Sequence, residues 1–108
     1  MSVTTDNLIT ALVLEKEDLS AEELSALNLY LESAILFIKN AICSDDAFLS
    51  DGRVSSLVDL ATVSLACNYW TYRIPVSQIN AYQVPLTTNS IVGQVRAFYD
   101  VYLEEQNG

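Results

Sequence analysis

The most apolar part of the chain runs from Val54 to Tyr72, VSSLVDLATVSLACNYWTY, and contains one charged residue, Asp59. At about 100° per residue, a helix over this segment carries two apolar stripes on nearly opposite sides. The first stripe consists of Val54, Leu57, Val58, Ala61, Leu65, Tyr69 and Tyr72, and the second of Leu60, Val63, Cys67 and Trp70. Because a surface helix needs only one stripe, the pattern predicts a central helix with apolar partners on both flanks, some of them from another subunit.

A long amphipathic helix is predicted before the central one. Ser20 and Glu23 have the S-x-x-E spacing of a capping box, so a helix can begin here and run to about Cys43. Its apolar stripe consists of Leu24, Leu27, Leu31, Ala34, Ile35, Ile38 and Ile42. Leu29 and Leu36 stand on the opposite, otherwise polar side. They are either scattered surface leucines, which are common, or part of a contact with a neighbouring copy.

Two further helices are predicted at the ends of the chain. Thr5 or Asp6 can cap a short first helix, DNLITALVL, and Thr88 or Asn89 can cap a last helix, SIVGQVRAFYDVYLEE. Gly93, inside the last helix, suggests close packing or a helix that is only marginally stable alone. Residues 1–4 and 104–108 are expected to be disordered.

Two connectors separate these helices. Residues 44–53, SDDAFLSDGR, are acidic, and helix capping explains their Asp residues better than a calcium loop does. Residues 74–88, IPVSQINAYQVPLTT, are apolar and have a proline near each end. A connector of this kind either packs on its own subunit as an Ω-like loop or packs against a neighbour.

These patterns predict one all-α domain over residues 1–108. It is a small helical bundle of about four helices, with a long central helix pair and a proline-flanked loop before the last helix. Apolar residues make up 51% of the chain and charged residues only 18%, and a small domain of this composition favours an oligomer that hides apolar surface.

The charge of the chain excludes several classes of partner. The net charge is −9, with five cations, so binding driven by nucleic-acid phosphates is not expected. Attachment to an anionic membrane is disfavoured for the same reason, and the central helix is too polar to span a bilayer. The N-terminal sequence MSVTTDN has neither the basic nor the apolar region of a signal peptide.

No residue pattern indicates catalysis, a metal site or a cofactor site. The chain contains no histidine, which is the commonest general base and metal ligand. Cys43 and Cys67 are predicted to be too far apart for a disulfide and to remain reduced thiols. Asp59 could act as an acid or base, but a partner arginine or the nearby helix N-terminus is the simpler explanation for this charge. We therefore expect a protein that is not an enzyme and holds no metal or cofactor.

The order of these segments resembles the head–tail connector (adaptor) proteins of long-tailed bacteriophages and their prophage relatives. The resemblance covers roughly residues 5–103 and concerns spacing and residue class. The third helix of such proteins closes with an alanine, aromatic residues, a tyrosine and an arginine. The matching residues here are Ala66, Tyr69, Trp70, Tyr72 and Arg73, preceded by the apolar repeat Leu57, Ala61 and Leu65. The last helix departs from the family pattern, in which a leucine pair and an arginine often close the chain.

The resemblance implies a structural subunit of the virion. Such subunits form a closed ring of about a dozen copies beneath the portal protein, extend the DNA channel and dock a stopper or tail-completion protein. DNA would pass through the channel without specific binding. The implied locations are the head–tail interface of the virion and, during assembly, the host cytoplasm.

The surfaces expected to meet other copies or partners combine the second stripe, the two leucines of the second helix, the connector and the last helix. These residues are Leu29, Leu36, Leu60, Val63, Trp70, Ile74, Val76, Ile79, Tyr82, Val84, Tyr99 and Leu103. Two other functions fit the same composition: an acidic inhibitor that mimics DNA, and a generic helical dimerisation module. A mimic would carry its carboxylates along a helix, whereas here they cluster in turns and caps.

Overall fold

The computed structural model describes residues 3–107 and confirms the all-α fold: these residues form helices and connecting turns, without a strand. Five α-helices follow one another along the chain: α1 Thr5–Ala11, α2 Ala21–Ala41, α3 Asp46–Leu49, α4 Ser55–Thr71 and α5 Leu86–Asn107. Short 3₁₀ helices span Lys16–Asp18 and Val76–Ala81. The antiparallel helices α2 and α4 are the most extensively packed pair, as expected of the central pair.

The N-terminus of α2 is the one predicted from its capping box. The Ser20 hydroxyl accepts a hydrogen bond from the Glu23 backbone N–H, and the Glu23 carboxylate accepts one from the Ser20 N–H, both at 3.1 Å. In α1 the cap is Thr4 instead of Thr5 or Asp6, because Thr4 and Asn7 form an equivalent reciprocal pair. Thr4 is thus part of the folded structure, and Val3 packs against the core. Met1 and Ser2 lie outside the described residues.

Helices α1 and α4 end in the same way, in a left-handed residue that is not glycine. Val13 follows α1 with φ 56°, and Arg73 follows α4 with φ 50°. After α4, the Arg73 N–H donates to the Trp70 carbonyl and the Ile74 N–H to the Tyr69 carbonyl, the two bonds of a Schellman motif. Pro75 then prevents the helix from continuing, as its position predicted.

The last helix is longer than expected at both ends. It begins at Leu86, directly after Pro85, and the Asn89 N–H donates to the Pro85 carbonyl at 3.1 Å. Thr88, expected at the cap, is buried within the first turns. Residues 104–107, expected to be disordered, continue the helix, and Gly108 lies outside the described residues. A Cβ atom at Gly93 would have no neighbour within 4 Å, so close packing inside the subunit does not explain this glycine.

The core consists of two apolar clusters that lie in line along α2 and α4. The first joins α1 to the N-terminal half of α2 and the C-terminal half of α4, with Leu8, Leu27, Leu65 and Tyr69 among its members. The second joins α3 and α5 to the other halves of α2 and α4, around Phe48. This arrangement makes the subunit elongated, with extents of 52 × 27 × 19 Å.

None of the helices in the described part of the chain is both long enough and apolar enough to cross a membrane.

Candidate interaction surface

The outer side of α2 carries two exposed leucines among polar residues. Leu29 and Leu36 are 45% and 60% exposed, so they face away from both core clusters. Between and beyond them the same side carries Ser33 and Asn40, and the charged residues Glu32 and Lys39 lie beside Leu36 at helical spacing. Their exposure fits both interpretations of the sequence pattern, namely scattered surface leucines and a contact with a neighbouring copy.

The second stripe of α4 is divided between the core and the surface. Leu60 is 53% exposed and Val63 and Cys67 are half-buried, whereas Trp70 is only 6% exposed. Trp70 belongs to the first core cluster, which includes Leu8 and Ile9 of α1. The short helix α1 thus covers the C-terminal end of the stripe. The prediction that Trp70 lies at an interface with another chain is therefore wrong, because Trp70 is buried within its own subunit.

The proline-flanked connector packs mainly on its own subunit. Ile74, Ile79, Tyr82 and Val84 are half-buried against the first cluster, and Val76 remains exposed. The Tyr30 hydroxyl of α2 donates to the Ile74 carbonyl at 2.8 Å. The Tyr82 ring meets the Tyr69 ring edge-on, with 5.4 Å between their centres. Of the two interpretations of this segment, packing on the same chain accounts for most of its apolar residues.

An open groove of about 370 Å³ remains between α2 and this connector. Its floor includes the Tyr69 ring of α4. All the residues that line it are uncharged: Ser33, Leu36, Phe37, Asn40, Ala41, Tyr69, Ile79, Asn80, Tyr82 and Val84. The groove therefore brings together four of the residues predicted to meet partners, namely Leu36, Ile79, Tyr82 and Val84.

The predicted interface residues of α5 lie at the opposite end of the subunit. Tyr99 is half-buried, with its ring centre 4.9 Å from that of Phe48 in α3, and Tyr102 packs on the same ring at 5.1 Å. Leu103 is exposed, and so are its neighbours Phe98 and Val101. Hence the structure separates the last-helix residues from the α2 groove.

Several exposed apolar residues were not identified from the sequence. Val13 and Leu86 are the most exposed, at 90% and 83%, and Tyr72, Phe98 and Val101 are also exposed. Tyr72 belonged to the first predicted stripe of the central helix, Val13 lay near the end of the predicted first helix, and Leu86 lay in the connector just before the predicted last helix. The exposure of Val13 and Leu86 could have been predicted, because each is an apolar residue next to a predicted helix boundary, where no other helix covers it.

The titratable groups of the described residues form no metal-binding cluster. No group of three or more acids or cysteines between residues 3 and 107 is placed to hold a metal ion. Burial raises the pKa of the Cys43 and Cys67 thiols, both of which are free and half-buried, so they are protonated at neutral pH. Asp59 has no ion pair among these residues and lines a shallow groove with Val3, Asn7, Leu60 and Val63.

Three of the five cations are paired with acids of the same subunit. Lys16 pairs with Asp6, and Lys39 pairs with Asp46. Arg53 pairs with Asp51 and Glu105. The guanidinium of Arg73 instead lies 3.6 Å from the centre of the Trp70 ring. None of these ion-paired residues lines the α2 groove, whereas Asp59 lies beside Leu60 on α4.

Comparison with known proteins gave no relative: no protein-family model, no curated protein and no solved structure matches the chain.

Proposed function

We propose that this chain is a subunit of a bacteriophage or prophage head–tail connector. In this function it forms a ring beneath the portal protein, extends the DNA channel and docks a stopper or tail-completion protein. The order of capped helix, long helix, acidic break, central helix and proline-flanked connector supports the proposal. Its action is structural and requires no catalytic group, metal or cofactor. Its proposed places are the host cytoplasm during assembly and then the head–tail interface of the virion.

The observation that carries the proposal is the presence of exposed leucines on the outer sides of both central helices. Leu36 of α2 and Leu60 of α4 are each more than half exposed, in a chain with fourteen acidic residues. Apolar surface of this kind is stabilised when another polypeptide covers it. Because the leucines belong to different helices, one subunit has two surfaces for neighbours, as a ring requires.

The acidic charge suits a channel through which DNA must slide. Like charge between the lining and the phosphates prevents tight binding and leaves the DNA free to move. Two clusters of exposed acidic residues are available for the lining: Glu15, Glu17 and Asp18 near the start of α2, and Asp100 and Glu104 near the end of α5.

The acids of each cluster can be replaced by Gln and Asn. DNA ejection should become slower when the replaced cluster is the one that faces the channel. Unchanged ejection for both would contradict this part of the proposal.

The experiment that tests the proposal is co-purification with candidate partners. The tagged chain is expressed with the portal protein encoded nearest to its own gene, and the complex is imaged by negative-stain microscopy. The expected result is a ring on the narrow end of the portal. Capture of a restriction or transcription enzyme without the portal would instead indicate a DNA mimic. A dimer that does not bind the portal protein would indicate a dimerisation module.

A further inference from the structure

We infer that Asp51–Gly52 is a modification site, at which the chain forms isoaspartate, and that Arg53 protects this site by holding the Asp51 carboxylate. The sequence contains seven Asp residues, and Asp51 is the one that is followed by glycine. The inference concerns a covalent change of the chain itself and is independent of the proposed function.

The reaction begins when the backbone nitrogen of Gly52 attacks the Cγ atom of the protonated Asp51 carboxyl group. A C–N bond forms, the C–OH bond breaks, and the hydroxyl leaves together with the amide hydrogen as water. The product is a cyclic succinimide. When water then cleaves the ring at the main-chain carbonyl of Asp51, Gly52 stays attached through Cγ, and residue 51 has become isoaspartate. Glycine favours the first step because it has no Cβ atom to hinder the approach.

The surroundings of Gly52 leave its nitrogen available for this attack. Gly52 is exposed and lies in the turn between α3 and α4, so no helix fixes its peptide group. Its N–H donates no backbone hydrogen bond among the described residues. A Cβ atom at Gly52 would meet nothing within 4 Å, so no neighbouring group blocks the turn.

Three hydrogen bonds from Arg53 hold the Asp51 carboxylate in the folded chain. The Arg53 backbone N–H and Nε donate to Oδ1 at 2.9 and 3.1 Å, and a terminal guanidinium nitrogen donates to Oδ2 at 3.2 Å. Both oxygens are occupied, so turning the carboxyl group toward the Gly52 nitrogen would break bonds to a charged partner. The same bonds lower the pKa of Asp51, and the protonated form that can release water is therefore scarce at neutral pH.

Isoaspartate at position 51 would disturb the junction of α3, α4 and α5. The Asp51 carbonyl accepts hydrogen bonds from the Val54 and Ser55 N–H groups, at 3.0 and 2.9 Å, where α4 begins. In isoaspartate this carbonyl becomes part of a free carboxylate, and the main chain is lengthened by the Cβ atom. Arg53 would also lose the partner that holds it opposite Glu105 of α5. The modified chain should thus have a lower Tm than the unmodified chain.

The test compares isoaspartate formation in the folded wild-type chain and in Arg53→Gln during storage at neutral pH. Peptide mapping by mass spectrometry locates isoaspartate at position 51, and enzymatic methylation by an isoaspartyl methyltransferase measures its amount. The rate should be about fivefold higher in Arg53→Gln, the factor that corresponds to losing a surface ion pair of good geometry. In urea, where the contact with Arg53 is absent, both chains should react at similar and faster rates.

Three further variants make the comparison specific. Lys39→Gln is the matched control, because it also removes one cation, but one that pairs with a different acid, Asp46. Its rate at position 51 should equal that of the wild-type chain. Arg53→Lys keeps the charge but lacks the planar guanidinium, so its rate should lie between those of the wild-type chain and Arg53→Gln. Gly52→Ala places its methyl group in open space, so it should fold and should suppress the reaction in the Arg53→Gln background.

Several outcomes would overturn the inference. Equal rates in the folded wild-type chain and in both Arg53 variants would show that Arg53 gives no protection. An equal rise in Lys39→Gln would show that loss of any cation has the same effect. If no isoaspartate forms at position 51 in urea, or if Gly52→Ala does not slow its formation, then Asp51–Gly52 is not the site. Circular dichroism checks that each variant is folded under the storage conditions.

Discussion

The Arg53 guanidinium donates two hydrogen bonds to the Glu105 carboxylate, at 3.0 and 3.1 Å, and so joins the start of α4 to the end of α5. The two residues are fifty-two positions apart. Arg53 also donates to Asp51 at 3.1 and 3.2 Å, which fixes the guanidinium between two carboxylates. The last turn of α5, which no core residue anchors, is held in place by this contact.

Replacing Glu105 by Gln should therefore loosen the end of α5. The neutral amide loses the charge-assisted bonds to Arg53, so the backbone amides of residues 103–107 should exchange with solvent faster. Hydrogen exchange followed by mass spectrometry of C-terminal peptides measures this effect. Glu104→Gln, one position earlier and without an ion pair among the described residues, is the control. Equal exchange in both variants would show that Arg53 does not hold the helix end.

The Asp51 carboxyl should make stability depend on pH in the acid range. Its hydrogen bonds with Arg53 lower its pKa below the ordinary value of 3.8, so the folded state favours the ionised form. This contribution is present above about pH 4 and is lost as the pH falls through the lower, folded-state pKa. The difference in Tm between the wild-type chain and Asp51→Asn should thus be largest near neutral pH and shrink toward pH 2. A constant difference over that range would contradict the assignment.

Val13→Gly should stabilise the subunit. A β-branched residue at φ 56° is strained, and its side chain is 90% exposed, so glycine relieves the strain and loses almost no packing. The expected gain is about 1 kcal/mol in the free energy of unfolding, measured with urea.

Arg73→Gly provides the matched comparison for Val13→Gly. Arg73 has a similar φ of 50°, but its guanidinium packs on the Trp70 ring at 3.6 Å. Glycine at this position relieves strain but also removes a cation–π contact of about 0.5–1 kcal/mol. Arg73→Gly should therefore raise the free energy of unfolding by less than Val13→Gly does. A larger gain at Arg73 would show that the contact with Trp70 contributes nothing.

Tyr30→Phe should destabilise the first cluster by about 1–3 kcal/mol. The substitution removes the hydroxyl that donates to the Ile74 carbonyl at 2.8 Å and leaves that carbonyl without its donor. Tyr72→Phe removes a hydroxyl from an exposed ring and should change the free energy of unfolding by less than about 0.5 kcal/mol. Urea unfolding measures both, and equal effects would argue against the hydrogen bond.

Phe48→Ala should destabilise the second cluster by about 3–5 kcal/mol, because Phe48 is fully buried beneath Tyr99 and Tyr102. Phe48→Leu should lower the free energy of unfolding by less than Phe48→Ala does. Trp70 is the single tryptophan and lies in the first cluster, so its fluorescence in the folded state should not change in either variant. A red-shifted emission would mean that damage at α3 reaches the other cluster.

Local chemistry explains why some elements were predictable. The capping box at Ser20 and the proline at Pro75 act through neighbouring backbone groups, so they placed the start of α2 and the end of α4 correctly. Helix α3 has only four residues, which is too short for a periodic pattern to reveal. Nothing in the sequence marked Val13 for a left-handed conformation, since glycine or asparagine is the usual choice there.

The candidate surface shows the limit of periodicity more clearly. The spacing of Leu60, Val63, Cys67 and Trp70 placed them on one side of α4, but it could not say how far a neighbouring helix extends along that side. The seven residues of α1 cover Trp70 and leave Leu60 exposed. The connector likewise packs on its own chain because Tyr30 and Tyr69 lie within reach, a relationship that depends on tertiary structure.

The arrangement of two clusters along one helix pair has a mechanical consequence. Detaching α5 together with α3 breaks the second cluster and the ion pairs Lys39–Asp46 and Arg53–Glu105, while α1 and the connector keep their contacts with the first cluster. The two ends are nevertheless coupled, because Phe37 of α2 packs against both clusters and lines the groove together with Ala41, so loosening of the second cluster should also change the shape of the groove.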